Sequence, residues 1–565
     1  MDGNSRRGGL PRMTGPVVLG GVLLLFLALA SRMPSLPGPH YDELYNVSQA
    51  TEFVLGLPLT TPWSVSFGGR DWPIAMRQPY DINTFIIYVG IGALKVFGVK
   101  VAGLRITGVL TAALLLFLFY KLWRLWFSEP VALVSVVLAA ASPAVLIWGR
   151  TAFFTDLFFS LVFAHLSLLC ASLWYKKGDV RMFYAACFLC AFELNISVRG
   201  LAHVVAYPVA FFLLVPRSRW PRWGQILRGA GAGVLAAVVP LGLNAAAGWP
   251  SAVSLLGGLS SPTVGGVDNW NILNNVAIRC GQFSAVLRGV WPTESIGGTA
   301  VPNPVILPVF LAAAAACLLD LFSKRSPPRP ILKLVLFLPA GMLFLTGFTP
   351  SNLGPIHLMA VWPYPALILG IVLGSLMSGE WTAGRPERWR RMGKIGAAAV
   401  FAALLAFEGR VIGDYFRTLS KTGGDGYWSD SVYELARYLD AEKINQPICL
   451  TWGIGMNVYF LTEGRVHPIE GHRCRLGGNL TLRDRYVRWV KEPGHHFVSI
   501  TPDFESQGVT YGYYKLFDDV LAGLGKRKVV VKTIKTRRGQ DWFFVCRVED
   551  EPPPARSRGT RGANE

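Results

Sequence analysis

The residues best suited to acid–base chemistry are two adjacent carboxylates, Asp42 and Glu43, in the run His40-Tyr41-Asp42-Glu43-Leu44-Tyr45. They follow closely on the first long apolar segment, where charge costs solvation free energy and is kept for a reason. A carboxylate within hydrogen-bond reach of a nucleophile's proton can act as a general base. The plainer alternative is a solvated helix start, with both acids doing no more than complementing the positive end of the helix dipole.

The elements that must position this pair are membrane-spanning helices. Of 565 residues, 52% are hydrophobic and only 16% charged, and the apolar residues come in runs of about 20. These place spans at 15–31, 104–120, 130–148, 157–174, 182–197, 201–216, 229–247, 303–322, 331–348, 358–377 and 395–411, about eleven transmembrane helices in a polytopic α-helical membrane protein. The first run follows Arg6, Arg7 and Arg12 and has the outline of a signal peptide. The many spans downstream favour an uncleaved first helix.

A net charge of +20 would suggest nucleic acid in a soluble protein, but here the basic residues collect in alternate loops, and no nucleic-acid partner is expected. Lys121 and Arg124, Lys176, Lys177 and Arg181, Arg217 to Arg228, Lys324 to Arg329, and Arg385 to Lys394 share one side. By the positive-inside rule that side is cytoplasmic, as is the N-terminus. Counting the short apolar segment 82–97 as a span would invert everything after it. It therefore reads as a helix on the outer leaflet, within a first external loop of 31–103 that carries Asp42 and Glu43.

Beyond the last span the pattern becomes that of a soluble extracytoplasmic α/β domain over 412–550. Helices are expected at 431–443, 457–461 and 513–524, and strands at 448–452, 496–501, 528–535 and 542–548. The Pro- and Arg-rich tail, 551–565, reads as disordered. Cys187 and Cys190 have zinc-like spacing but lie in an apolar span, where buried thiols are the ordinary explanation. Cys449, Cys474 and Cys546 would face an oxidising compartment and allow one disulfide of undetermined pairing.

Further elements stand in a telling order: Arg77-Gln78-Pro79-Tyr80 before the surface helix, Phe97-Gly98 and then Leu104-Arg105 at the second span, Trp148-Gly149-Arg150 followed by Asp156, Arg199-Gly200 after the fifth span, and Trp362-Pro363-Tyr364-Pro365 near a late one. With the acid pair, this order resembles the C-type (GT-C) membrane glycosyltransferases, and within them the branch of protein O-mannosyltransferases and lipid A aminoarabinose transferases. The resemblance covers the first 220 residues or so well and the later spans loosely. It departs at Gln78-Pro79, where relatives carry His-Pro-Pro, and at Arg199, where a Lys is common.

The resemblance implies transfer of a sugar from a polyprenyl-phosphate donor to an acceptor at the outer face of the membrane, with a bacterial inner membrane and a role in the cell envelope as the expected setting. It makes Asp42 the base, with Glu43 positioning it or facing away. The departing phosphate calls for cations, for which Arg105, Arg150, Arg199 and His357 stand at the outer ends of expected spans; each arginine alone is equally well read as snorkelling to headgroups. Substrate contacts are expected from Tyr41, Tyr45, Gln78, Asp156 and Trp291, although Asp156 also suits a helix cap and Trp291 an interfacial belt. Some members of the superfamily bind a divalent cation such as Mg or Mn, which Asp42 and Asp156 would hold here; others need none, and the branch this chain resembles leans that way. The acceptor is open. The rival class, a lipid or sugar transporter or flippase, would call for a two-half repeat and midplane charge, and neither is evident.

Overall fold

The computed structural model describes residues 14–59, 64–73, 84–151, 155–197, 200–247, 263–264, 267–268, 271–322, 330–348, 355–471, 481–501 and 512–551. The chain divides into two compact units, Met1–Leu36 with Asn46–Ser420, and Pro37–Tyr45 with Lys421–Glu565.

The first unit is helical. It opens with α1 (Thr14–Ala30); the next helix, α2 (Tyr41–Tyr45), belongs to the second unit, and the chain returns with α3 (Ser48–Leu55), β1 (Ser64–Phe67), β2 (Arg70–Pro73) and α4 (Thr84–Phe97). There follow α5 (Val101–Arg124), α6 (Glu129–Ala141), α7 (Pro143–Gly149), α8 (Thr155–Lys177), α9 (Val180–Phe192), α10 (Leu201–Leu214) and α11 (Trp223–Ala247). After the short ladder of β3 (Thr263–Val264) with β4 (Val267–Asp268) come α12 (Ile272–Leu287), α13 (Val290–Gly297), α14 (Ile306–Phe322), α15 (Pro330–Leu345), α16 (Tyr364–Ser378) and α17 (Glu387–Thr422).

Among the described residues, Val101–Arg124, Leu157–Lys177 and Glu387–Thr422 are each long and apolar enough to cross a bilayer. Two bent pairs can each add one span: α6 with α7 at 57°, and a 3₁₀ segment, Pro355–Val361, with α16 at 48°. Both bends fall at prolines, Pro143 and Pro363, which lack the N–H that would continue a helix. Five shorter apolar helices accompany them, among them α4, whose 14 residues are too few to span. The expected spans all fall on helices or bent pairs.

Small residues let these helices approach closely. Gly370 and Gly374 lie one turn apart on α16, and a Cβ at Gly374 would stand 2.6 Å from the Val131 Cα of α6. This is the small-xxx-small contact by which membrane helices pack backbone to backbone, where dispersion must replace the hydrophobic effect.

The second unit is an α/β layer. Its five-stranded sheet has the order β6-β5-β7-β9-β8, built from β5 (Ile448–Cys449), β6 (Ile469–Glu470), β7 (Phe497–Ile500), β8 (Lys526–Lys535) and β9 (Asp541–Asp550). β5 runs parallel to β6 and β7, and β9 antiparallel to β7 and β8. Neighbours along a strand face opposite sides. Cys449 and Val498 enter one core with Val432, Leu435 and Leu439 of α18 (Ser431–Ala441) and Val458 of α19 (Gly455–Leu461). Ile448 and Phe497 enter the other, with Tyr486 and Trp489 of α20 (Leu482–Lys491) and Phe517 and Leu521 of α21 (Tyr513–Gly523).

Each element expected in this region has a counterpart, while β6 and α20 were not anticipated. Cys449 and Cys546 carry free, buried thiols. Cys474 and the tail beyond Glu551 lie outside the described residues.

Candidate active site

The acid pair sits on α2, in the segment that belongs to the second unit. Gly38 anchors the approach: a Cβ there would meet the Ser429 carbonyl oxygen at 2.2 Å, so no other residue fits without displacing backbone. The Gly38 N–H donates to Gly423 O at 3.2 Å, and Asn457 Nδ2 donates to Pro39 O at 2.9 Å.

His40 then starts the helix. Its Nδ1 accepts the Asp42 N–H at 3.2 Å, and its own N–H donates to Glu43 Oε2 at 2.8 Å. Glu43 reaches back to the His40 amide as the third residue of a capping box does, while the imidazole caps the amide one position earlier, at Asp42. The ring packs on Trp428 and Trp452, centroids 4.8 and 5.6 Å away. Burial pushes its pKa down from 6.5 to about 4, against a smaller opposing pull from Glu43. A neutral ring that accepts at Nδ1 carries its proton on Nε2. The 3.9 Å approach of Nδ1 to Asp42 Oδ2 is therefore not an ion pair at neutral pH.

This divides the two acids. Glu43 is fully buried and accepts the His40 amide at the helix start, whereas the Asp42 side chain is 35% exposed. Tyr41 and Tyr45 are buried and stacked on each other, centroids 5.7 Å apart, in a cluster with Trp452. The Tyr41 hydroxyl donates to Glu470 Oε2 at 2.8 Å.

Two expected cations lie in the helical unit, both buried and both turned onto the exit of α1. Arg150 Nε donates to Ala30 O at 3.3 Å, Nη2 to Met33 O at 2.8 Å and to Arg32 O, and Nη1 to the Tyr415 hydroxyl at 3.0 Å. The guanidinium also stands 5.0 Å from the centre of the Phe416 ring. Arg105 Nη1 donates to Pro34 O at 3.3 Å. The last carbonyls of a helix have no partners within it, and here a forked donor supplies them. Met33 between these contacts has φ 53°, a left-handed conformation that costs roughly 1 kcal/mol and is held by the donors around it.

His357 is half-buried on the Pro355–Val361 segment, and Trp291 on α13 meets Trp148 edge to face, centroids 5.4 Å apart. Asp156 stands in the first turn of α8; its side chain, like Gln78 and Arg199 altogether, lies outside the described residues. Among those residues no group of three or more His, Cys, Asp or Glu side chains comes together as a metal site would.

One constellation was missed. Glu193, on a 3₁₀ turn between α9 and α10, is fully buried and accepts from Ser160 Oγ of α8. It pairs with His203 Nδ1 of α10 at 2.5 Å, and His203 Nε2 lies 3.3 Å from Ala360 O on the segment that carries His357. The signal was present, since a carboxylate and a histidine ten residues apart at the end of apolar runs are costly unless paired.

Between α8, α9, α10, α11 and α15 lies a cavity of about 470 Å³, with Leu168, Cys187, Tyr207, Phe211, Gly233 and Leu334 among its lining. None of its lining residues is charged, so it suits a hydrocarbon tail rather than reacting atoms.

The family described as dolichyl-phosphate-mannose-protein mannosyltransferase matches residues 85–243. ArnT from Cupriavidus metallidurans bound to undecaprenyl phosphate superposes with a TM-score of 0.56 at 12% identity, covering 94% of this chain and 97% of that one. The chain has the fold of these membrane glycosyltransferases and, over residues 85–243, the sequence pattern of that mannosyltransferase family. The archaeal oligosaccharyltransferase AglB from Archaeoglobus fulgidus, in complex with an inhibitory peptide and a dolichol-phosphate, gives a TM-score of 0.54 at 13% identity, covering 96% of this chain and 75% of AglB. No curated protein matches it in sequence.

Proposed function

We propose that the chain moves a sugar from a polyprenyl-phosphate donor to an acceptor nucleophile with Asp42 as general base. The observation that carries this reading is the difference within the acid pair: Glu43 is fully buried and accepts the His40 amide, while the Asp42 side chain is 35% exposed. As the acceptor oxygen attacks the anomeric carbon, its proton passes to Asp42. The bond from that carbon to the phosphate oxygen breaks, and its electron pair leaves with the polyprenyl phosphate. Because His40 is neutral, it does not quench the charge on Asp42. The undecaprenyl phosphate bound to ArnT and the dolichol-phosphate bound to AglB support this class of leaving group.

In this reading Arg199 and His357 meet the leaving phosphate, and Gln78, Asp156 and Trp291 contact substrate. Arg105 and Arg150, engaged with the chain's own carbonyls, instead hold the stretch of chain that leads to Pro37. Tyr41 and Tyr45 brace α2. The apolar cavity takes the isoprenoid tail. About eleven spans, a cytoplasmic N-terminus, an extracytoplasmic second unit and a bacterial inner membrane complete the proposal, and no step runs through a metal ion.

The test is release of free polyprenyl phosphate by the purified chain from a panel of polyprenyl-phosphate sugars. Turnover of any member supports the reading, and failure to bind or turn over every one overturns it.

A further inference from the structure

One element of the helical unit takes no part in this chemistry. In the β1–β2 hairpin Val65 stands opposite Trp72 and Phe67 opposite Arg70. Residues directly opposite in a ladder share a face. Val65, Phe67, Arg70 and Trp72 therefore make one face and Ser64, Ser66 and Asp71 the other, where Ser66 Oγ donates to Asp71 Oδ1 at 2.5 Å. The apolar face is only half used. Trp72 packs on Phe53 of α3, centroids 4.7 Å apart, while Val65 is 51% and Phe67 75% exposed. A lone two-stranded ribbon is marginal in water, and this one overhangs the protein with its apolar side.

What flanks the overhang identifies its partner. The Arg70 guanidinium and the Lys95 ammonium stand 5.8 and 5.5 Å from the centre of the same Phe53 ring. Lys95 is in the last turn of α4, beside Val96 and Phe97, which are 74% and 38% exposed. Only Gly98, Val99 and Lys100 separate that turn from α5, a helix able to cross the bilayer. The Tyr88 hydroxyl of α4 donates to Pro73 O at 2.6 Å and ties β2 to the same helix. An apolar overhang and a basic pair thus gather at the end of a span, where the hydrocarbon stops and the headgroups begin.

We propose that this hairpin docks on the bilayer, with Val65 and Phe67 entering the headgroup–acyl boundary at the Val101 end of α5 and Arg70 and Lys95 contacting anionic lipid phosphates. Apolar residues inserted shallowly behind cations are the physical basis of interfacial anchoring. The occupant is bilayer phospholipid because the patch continues the exposed end of α4 into the rim of the span.

The experiment places the photoreactive residue p-benzoylphenylalanine at Phe67 of the full chain in nanodiscs of phosphatidylcholine and phosphatidylglycerol, and reads intact mass after irradiation. Leu110 of α5 and Val530 of β8 are comparably exposed, at 51% and 47%, and serve as lipid-facing and lipid-free controls. The expected result is a phospholipid adduct at 67 and 110 and none at 530, with phosphatidylglycerol over-represented severalfold at 67. Arg70→Gln with Lys95→Gln brings that preference to parity. An adduct at 110 without one at 67, or capture at 67 of protein or acceptor instead of lipid, overturns the docking. A preference that survives the double substitution overturns the role given to the two cations.

Discussion

Protonation of His40 tests the local structure that separates the two acids. In the folded chain Nδ1 accepts the Asp42 amide, and burial holds the ring near pKa 4 against an ordinary 6.5. A group that is harder to protonate folded than unfolded contributes fully above its unfolded pKa, and the contribution is lost as pH falls from there toward the folded value. Between pH 7.5 and 5 the loss is about 2 kcal/mol, or roughly thirtyfold in the population of the locally opened segment. Hydrogen exchange over Pro37–Tyr45 in the full chain, corrected for the intrinsic pH dependence of exchange, reads that population directly. Protection should fall about thirtyfold over this range in the wild type. It should stay flat in His40→Asn, which keeps a capping acceptor that does not titrate. A flat profile in the wild type, or the same slope in His40→Asn, would show that the imidazole does not cap the helix.

Three further outcomes follow from the packing. Arg150→Met removes the donor to three carbonyls, and with about 1–3 kcal/mol for each buried group left unsatisfied it should lower the melting temperature in detergent by several degrees or abolish folding. Arg150→Lys should not restore it, because one ammonium cannot reproduce the fork. Glu193→Ala leaves His203 and Ser160 without their acceptor and should destabilise by about 3 kcal/mol, while Glu193→Gln, measured by the same melt, keeps most of the stability. Ala230→Trp, filling the apolar cavity, should raise KM for a long-chain donor tenfold or more and leave a short-chain analogue unaffected in steady-state assays.

Much of this architecture is legible in local pattern, because apolar runs, basic loops and the alternation of the C-terminal strands are short-range signals. The acid pair was visible for the same reason. What local pattern lacks is the partner. That Pro37–Tyr45 joins the second unit depends on contacts with Trp428, Trp452, Asn457 and Glu470, far away in sequence. Arg150 reads as a cation at a helix end, and nothing nearby reveals that the exit of α1, some 120 residues earlier, supplies its acceptors. The sequence left Glu43 either to position Asp42 or to face away, and because histidine is not among the usual N-cap residues, the bond from the His40 amide that engages Glu43 went unread. β6, two residues long, falls below the length at which alternation can be recognised.

The account stands most directly on the difference between Asp42 and Glu43. With a donor that is turned over, kcat should be compared for the wild type, Asp42→Asn and Glu43→Gln, alongside donor binding. A general base contributes about 10²–10⁴-fold. Asp42→Asn should therefore lose kcat by that factor with donor affinity nearly intact. Glu43→Gln, which retains a side-chain oxygen for the His40 amide, should lose far less. Full activity in Asp42→Asn, or a larger loss in Glu43→Gln, would contradict the assignment of the base.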